Sequence, residues 1–139
     1  MIAAIRIRGV HDIRGDVERN LDNLRLLRKH ACVLLEDTPA VRGQLAKVKD
    51  FATWGIINDD TKKILVEKRG NEYSGRLTDS RGKISYPVLK IGGRALRPYF
   101  NLSPPKGGFE RKGIKVAFRA GGVLGDRGEH INELIRKMV

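Results

Sequence analysis

The chain carries one cysteine, Cys32, in 139 residues. A single thiol cannot close an internal disulfide or build a multi-thiolate metal site. Histidine is nearly as scarce. His11, His30 and His130 stand far apart and lack the short spacing of a helical or hairpin metal site. Aromatic residues make up 6%, too few for the stacking sheet of a sequence-specific single-strand binder. No apolar run approaches the roughly 20 residues of a membrane span, so no membrane partner is expected. The opening MIAAIRIRG puts its apolar run before its charges. A secretory signal has the reverse order, so a cytoplasmic location is expected. Acids are also few: 16 against 28 lysines and arginines, a net charge of +12. A hydrophobic fraction of 40% is too high for a disordered basic tail. One cationic domain, 1–139, is expected, with polyanions as its first partners.

The charge is concentrated. Residues 80–119 hold ten basic groups: Arg81, Lys83, Lys90, Arg94, Arg97, Lys106, Arg111, Lys112, Lys115 and Arg119. Against them stands one acid, Glu110, so most of the net charge lies in this stretch. Glycines and prolines are interleaved with these cations. That composition describes loops and short strands whose backbone can approach a phosphate closely. A solvated basic surface is the bland alternative. It is disfavoured because self-repulsion so concentrated opposes folding unless an anion offsets it.

The pattern along the chain alternates. In residues 2–8, Ile5 and Ile7 face one way and Arg6 and Arg8 the other, predicting a half-buried strand with a cationic outer face. Val17, Leu21, Leu24 and Leu27 predict a helix over 16–29 capped by Asp16, with Leu26 off the stripe. ACVLLE (31–36) reads as a buried strand that holds Cys32 as packing. Thr38-Pro39 starts a second helix, with Val41, Leu45, Val48 and Ala52 as its stripe. Asn58 caps a third, running to Lys68 with Ile64 and Leu65 inward. Residues 70–96 are the least readable, with a short strand or hairpin in ISYPVLKIG. PYFNLS (98–103) and IKVAFR (114–119) read as strands. A final helix begins near Asp126, with Asp126 and Glu129 as a capping box and Ile131, Leu134, Ile135 and Met138 as the stripe.

Two features invite a polyanion. Gly43 lies inside the second helix, opposite the apolar stripe and beside Ala46, flanked by Arg42, Lys47 and Lys49. A bare strip bordered by cations lets a nucleic-acid backbone lie against the helix. The alternatives are close packing on another protein element, or a helix that begins only after Gly43. The run GGVLGDRG (121–128) precedes a helix but lacks the Lys-Ser/Thr of a P-loop and the spacing of a dinucleotide fingerprint. It reads either as a phosphate contact through backbone amides and Arg127, or as a turn plus cap. No paired carboxylates or nucleophile–base arrangement emerges. No enzyme, catalytic residue, metal, cofactor or small-molecule substrate is expected.

Four segments then resemble a known family: IAAIRIRG (2–9), NLDNLRLLRKHACVLLEDTPAVRGQLAKVKDFATWG (20–55), RPYFNLSPPKGGF (97–109) and GGVLGDRGEHINELIRKM (121–138). They look like the large-subunit ribosomal protein L-thirty in its longer archaeal form, whose eukaryotic counterpart is L-seven. The T-P-A-x-R-G motif with its following Lys-Val and Trp-Gly is the specific signal. Residues 71–96 depart from the pattern, being shorter, more basic and richer in glycine than the usual archaeal insertion.

The resemblance implies an α+β fold, with a ferredoxin-like β-α-β-α-β core and helices on one sheet face. A basic loop and strand insertion and a C-terminal helix would complete it. Residues 1–69 would be the first part of the core, 70–96 the divergent insertion, and 97–139 the last core strand, basic loop and C-terminal helix. PYFNLS would be the third core strand. The implied role is structural: binding large-subunit rRNA during assembly and in the mature subunit. The 5S rRNA region and neighbouring ribosomal proteins are candidate partners. The expected RNA-facing residues are Arg6, Arg8, Arg14, Arg42, Gly43, Lys47, Lys49, Trp54, Arg97, Lys106, Phe109, Arg111, Lys112, Lys115, Arg119 and Arg127. A free-standing RNA-binding factor or an rRNA- or tRNA-modifying enzyme is the alternative. Because SPPKGGFERKG (103–113) has few apolar residues, it is expected to order only on RNA.

Overall fold

The N-terminal alternation builds the centre of the molecule rather than its surface. In the computed structural model, which describes residues 1–9 and 11–139, β1 (Ile2–Arg6) is buried along its whole length. β2 (Ala31–Leu35) and β3 (Ala52–Ile56) flank it, both antiparallel. Ile2 and Ala4 join Val33 and Ala52 on one face, and Ala3, Ile5 and Ile7 join Cys32 on the other. A strand covered on both faces has no solvent side, which corrects the expected cationic outer face. Arg6 is 2% exposed.

The first face is covered by α1 (Gly15–Asn23) and α2 (Pro39–Lys47), as expected of a ferredoxin-like core. α1 is shorter than the predicted 16–29, and Asp16 lies within it rather than capping it. It ends in a Schellman turn. Leu26 N–H donates to the Leu21 carbonyl and Arg25 N–H to that of Asp22, both at 2.9 Å, with Arg25 left-handed at φ 59°. This reversal swings Leu26 into the core and leaves Leu27 53% exposed, which accounts for the residue off the stripe. α2 starts as predicted: Thr38 Oγ1 accepts from Val41 N–H and Pro39 takes the first helical position. It stops at Lys47, and Ala52 belongs to β3 instead.

The third core strand is therefore β3, not PYFNLS. The latter supplies only β6 (Phe100–Asn101), an outer strand antiparallel to β2. β7 (Gly125–Asp126) adds on the opposite side, parallel to β3, giving the order β6-β2-β1-β3-β7. The second sheet face is closed by α3 (Asp59–Arg69) and α4 (Ile131–Met138). Asn58 caps α3 as predicted, its side chain accepting from Thr61 N–H at 3.0 Å. The stripe Ile131, Leu134, Ile135 and Met138 is buried as expected. The capping box is not formed. Asp126 lies in β7 and accepts from Gly128 N–H, and a 3-10 turn (Gly128–His130) leads into α4.

In the divergent segment, β4 (Leu89–Ile91) and β5 (Arg94–Leu96) form a hairpin. Gly92 and Gly93 make its two-residue turn, both with positive φ, as a type I′ turn requires. IKVAFR is not a strand. Its only ladder contact among the described residues is a bridge from Ala117 to Leu124, and Phe118–Ala120 turn as a 3-10 helix. Gly121 (φ 96°) and Gly122 fold the chain straight back. A Cβ at Gly122 would overlap the Val116 carbonyl.

Cys32 is fully buried, and that burial pushes its thiol up to about 12. It should therefore resist iodoacetamide at pH 8 over a time in which urea-unfolded protein is fully labelled, as mass spectrometry would read. Rapid labelling of the folded chain would contradict this packing.

Candidate nucleic-acid interface

The sixteen residues expected to face RNA separate into two kinds. Arg6 and Arg127 are interior. Arg6 Nη1 donates to the carbonyls of Leu26 (2.7 Å) and Leu27 (3.2 Å). Its Nε and Nη2 donate to those of Arg8 and Gly9. Burial pushes its pKa down, while Asp22 and Glu18 pull it back. It ties β1 to the turn after α1. Arg127, 4% exposed, pairs with Glu110 Oε1 at 2.7 Å and donates to Thr53 Oγ1 and the Val123 carbonyl, both at 3.0 Å. Its guanidinium also lies 4.6 Å from the Phe118 ring centroid. Both are spent within the protein and leave the candidate interface. The turn-plus-cap alternative is thus closer for GGVLGDRG, with Arg127 as its staple.

The same turn explains the Trp-Gly pair. A Cβ on Gly55 would overlap the Gly128 carbonyl, so glycine lets the 3-10 turn lie directly on β3. Trp54, half-buried against the α1–α2 side, lines a shallow groove with Arg42, Gly55, Asp126 and Gly128. Arg42 is exposed but engaged: it makes a two-pronged pair with Asp37 at 2.6 and 2.7 Å. Those hydrogen bonds hold Asp37 below the ordinary carboxylate range and raise Arg42.

Along α2 Gly43, Ala46 and Lys47 are exposed, as is Lys49 just past its end, and a Cβ at Gly43 would meet nothing within 4 Å. Packing within the chain does not explain the glycine, and the helix starts before it. Arg8 stacks on Phe51, 4.9 Å to the ring centroid, and Arg14 is exposed beside Asp16.

The basic loop is better built than its composition suggests. Ser103 N–H donates to the Met138 carbonyl at 3.0 Å and Lys106 N–H to that of Lys137 at 2.9 Å. Gly108 and Gly113 N–H close turns onto Pro105 and Glu110, and Phe109 packs on the core beside His30. Ordering only on RNA is therefore corrected: α4 supplies the anchor that local apolar residues lack. Lys106, Arg111, Lys112, Lys115 and Arg119 stand exposed, and none enters an ion pair among the described residues.

Arg97 is exposed on the opposite side of the sheet, where it shares a groove with Arg25, Arg28 and Tyr99. Sequence reasoning missed Arg25 and Arg28 by placing both on α1. The density of cations in RLLRKH (25–30) was the available signal. No group of three or more His, Cys, Asp or Glu side chains is placed to hold a metal among the described residues.

Comparison with known proteins adds an independent finding. A family model described as ribosomal protein L30p/L7e matches residues 2–51. The large ribosomal subunit protein uL30 of Methanopyrus kandleri is 39% identical over 149 residues, covering 96% of this chain and 100% of its own length. That of Methanosphaera stadtmanae is 39% identical with both chains wholly covered. That of Nanoarchaeum equitans is 37% identical over 100% of this chain and 99% of its own.

Proposed function

Since the chain belongs to the ribosomal protein L30p/L7e family, we propose that it is a structural part of the large ribosomal subunit, acting in the cytoplasm without catalysis. It binds large-subunit rRNA and supports assembly, working as one unit over 1–139. Neighbouring ribosomal proteins and the 5S rRNA region are its further partners. The observation that carries the RNA reading is the anchored loop and turn bearing Lys106, Arg111, Lys112, Lys115 and Arg119. These are exposed cations free of carboxylates among the described residues, on a backbone tied to α4 at Ser103 and Lys106 and closed beyond it by turns at Gly108, Gly113 and 116–124. Long-range phosphate attraction needs such unneutralised charge, and a fixed backbone lowers the cost of ordering it on RNA. The protein in a native lysate should sediment with large subunits on a sucrose gradient. A free factor or enzyme would stay mainly in the soluble fractions, and that result would reject the assignment.

The α2 strip belongs to the same interface. Gly43→Ala should raise helix stability by up to about 1 kcal/mol, because the added methyl has open space. It should nevertheless weaken rRNA binding, and Gly43→Leu should weaken it further. Thermal melting beside filter binding on the same variants reads both quantities. Unchanged binding by both variants would remove α2 from the interface.

A further inference from the structure

Between the turn after α1 and the outer strand β6 runs a groove of about 250 Å³, lined by Arg25, Leu27, Arg28, Ala31, Arg97, Tyr99 and Asn101. Three arginines meet there with no carboxylate in the lining. None of the three enters an ion pair among the described residues. Arg97 Nη1 donates to the Tyr99 hydroxyl at 3.4 Å, which holds the guanidinium at the rim of the aromatic wall. Leu27, 53% exposed, gives a second apolar surface, and Asn101 adds an amide.

The backbone beneath is held in a costly shape. Of the three non-glycine residues with positive φ among the described residues, Arg25 (59°) and His30 (65°) bracket this turn. An L-residue in that region is disfavoured, and such strain collects at working sites. Glycine would end α1 at lower cost, yet an arginine stands there. From below, Arg6 fixes the carbonyls of Leu26 and Leu27, so the turn is rigid before any ligand arrives.

We propose that this groove clamps one unpaired nucleotide of RNA, its phosphate held by Arg25, Arg28 and Arg97 and its base laid on Tyr99 and Leu27. The proposal rests on the RNA-binding reading above and specifies a feature of the RNA. Guanidinium forks match phosphate oxygens, and a lone charged patch would need no aromatic wall. A paired base is already stacked and cannot reach such a wall, whereas an unpaired one can.

The test uses the full chain with a ten-nucleotide single-stranded RNA and a duplex of the same sequence. Arg25→Gly should melt a few degrees higher, because strain is relieved, yet bind the single strand about tenfold more weakly. Arg28→Lys and Arg97→Lys keep the charge and should still lose about threefold or more on the single strand, with little change on the duplex. Ultraviolet irradiation should cross-link Tyr99 to the single strand. Equal losses on both RNAs would reduce the arginines to general phosphate contacts and overturn the clamp while leaving the RNA reading intact. Retained binding by all three variants would do the same. Protection of Tyr99 from iodination by polyglutamate but not by RNA would assign the groove to an acidic protein and overturn the proposal. Failure of the unmodified chain to bind either RNA would bring down both the clamp and the RNA reading beneath it.

Discussion

Arg127→Met should lower folding stability by about 3 kcal/mol, near the bottom of the range for breaking a buried ion pair. The guanidinium joins Thr53 on β3, the Val123 carbonyl and Glu110 at the edge of the basic loop. Removing it leaves a hydroxyl, a carbonyl and a carboxylate without their donor. Glu110 Oε2 is buried without a partner, but the side chain keeps 29% exposure, so it can turn toward solvent once Arg127 is gone and hold the cost below the maximum. Adding Glu110→Gln should recover part of the loss, since the uncompensated charge goes with it. Urea melts of the two single variants and the double variant read this coupling directly. A loss below about 1 kcal/mol would show that the pair does not staple the loop to the sheet.

Replacing Lys106, Arg111, Lys112 and Lys115 together by glutamine should leave the fold intact and flatten the salt dependence of rRNA binding. Each phosphate contact contributes roughly 0.7–0.9 to the slope of log affinity against log salt, so losing four should reduce it by about 3. The four side chains are exposed, and their loop is fixed by backbone bonds that glutamine leaves in place. Filter binding from 50 to 300 mM KCl measures the slope. An unchanged slope would show that these cations face solvent.

These two outcomes divide arginines that look alike in the sequence. Arg6 alternates with isoleucines and reads as outward, because alternation reports that a strand has two faces and not what covers each of them. Two of the four carbonyls that satisfy it, those of Leu26 and Leu27, lie some twenty residues away and leave no local mark. Arg127 finds Glu110 and Thr53 in the same non-local way. Caps were legible at Thr38 and Asn58 because a hydroxyl or amide acts within three residues of its own position. The end of α1 was not, because Arg25 stands at the left-handed position where glycine would mark the stop. The stripe of α2 ran on into Ala52 because an interval of four joins the helix to a residue that begins β3. The positions of β1 and β2, the buried cysteine and the C-terminal stripe followed from the apolar pattern, whereas β3 did not. The groove at Arg25, Arg28 and Arg97 needed the turn to be seen.

The two faces of the sheet also mature at different moments of synthesis. By Ile56 the chain has made the three central strands and both helices of the first face, all joined by short connections. Such local closure is fast. Ala3, Ile5, Ile7 and Cys32 on the reverse side meet α3 soon after, but their full cover waits for α4, about seventy-five residues further on. Ile131, Leu134, Ile135 and Met138 then arrive together, each burying a side chain whose transfer is worth about 1.5–3 kcal/mol. Until they emerge, a nascent chain with a finished front carries an apolar back that only Leu65 and Val66 of α3 can cover in part, which is the surface a chaperone would hold.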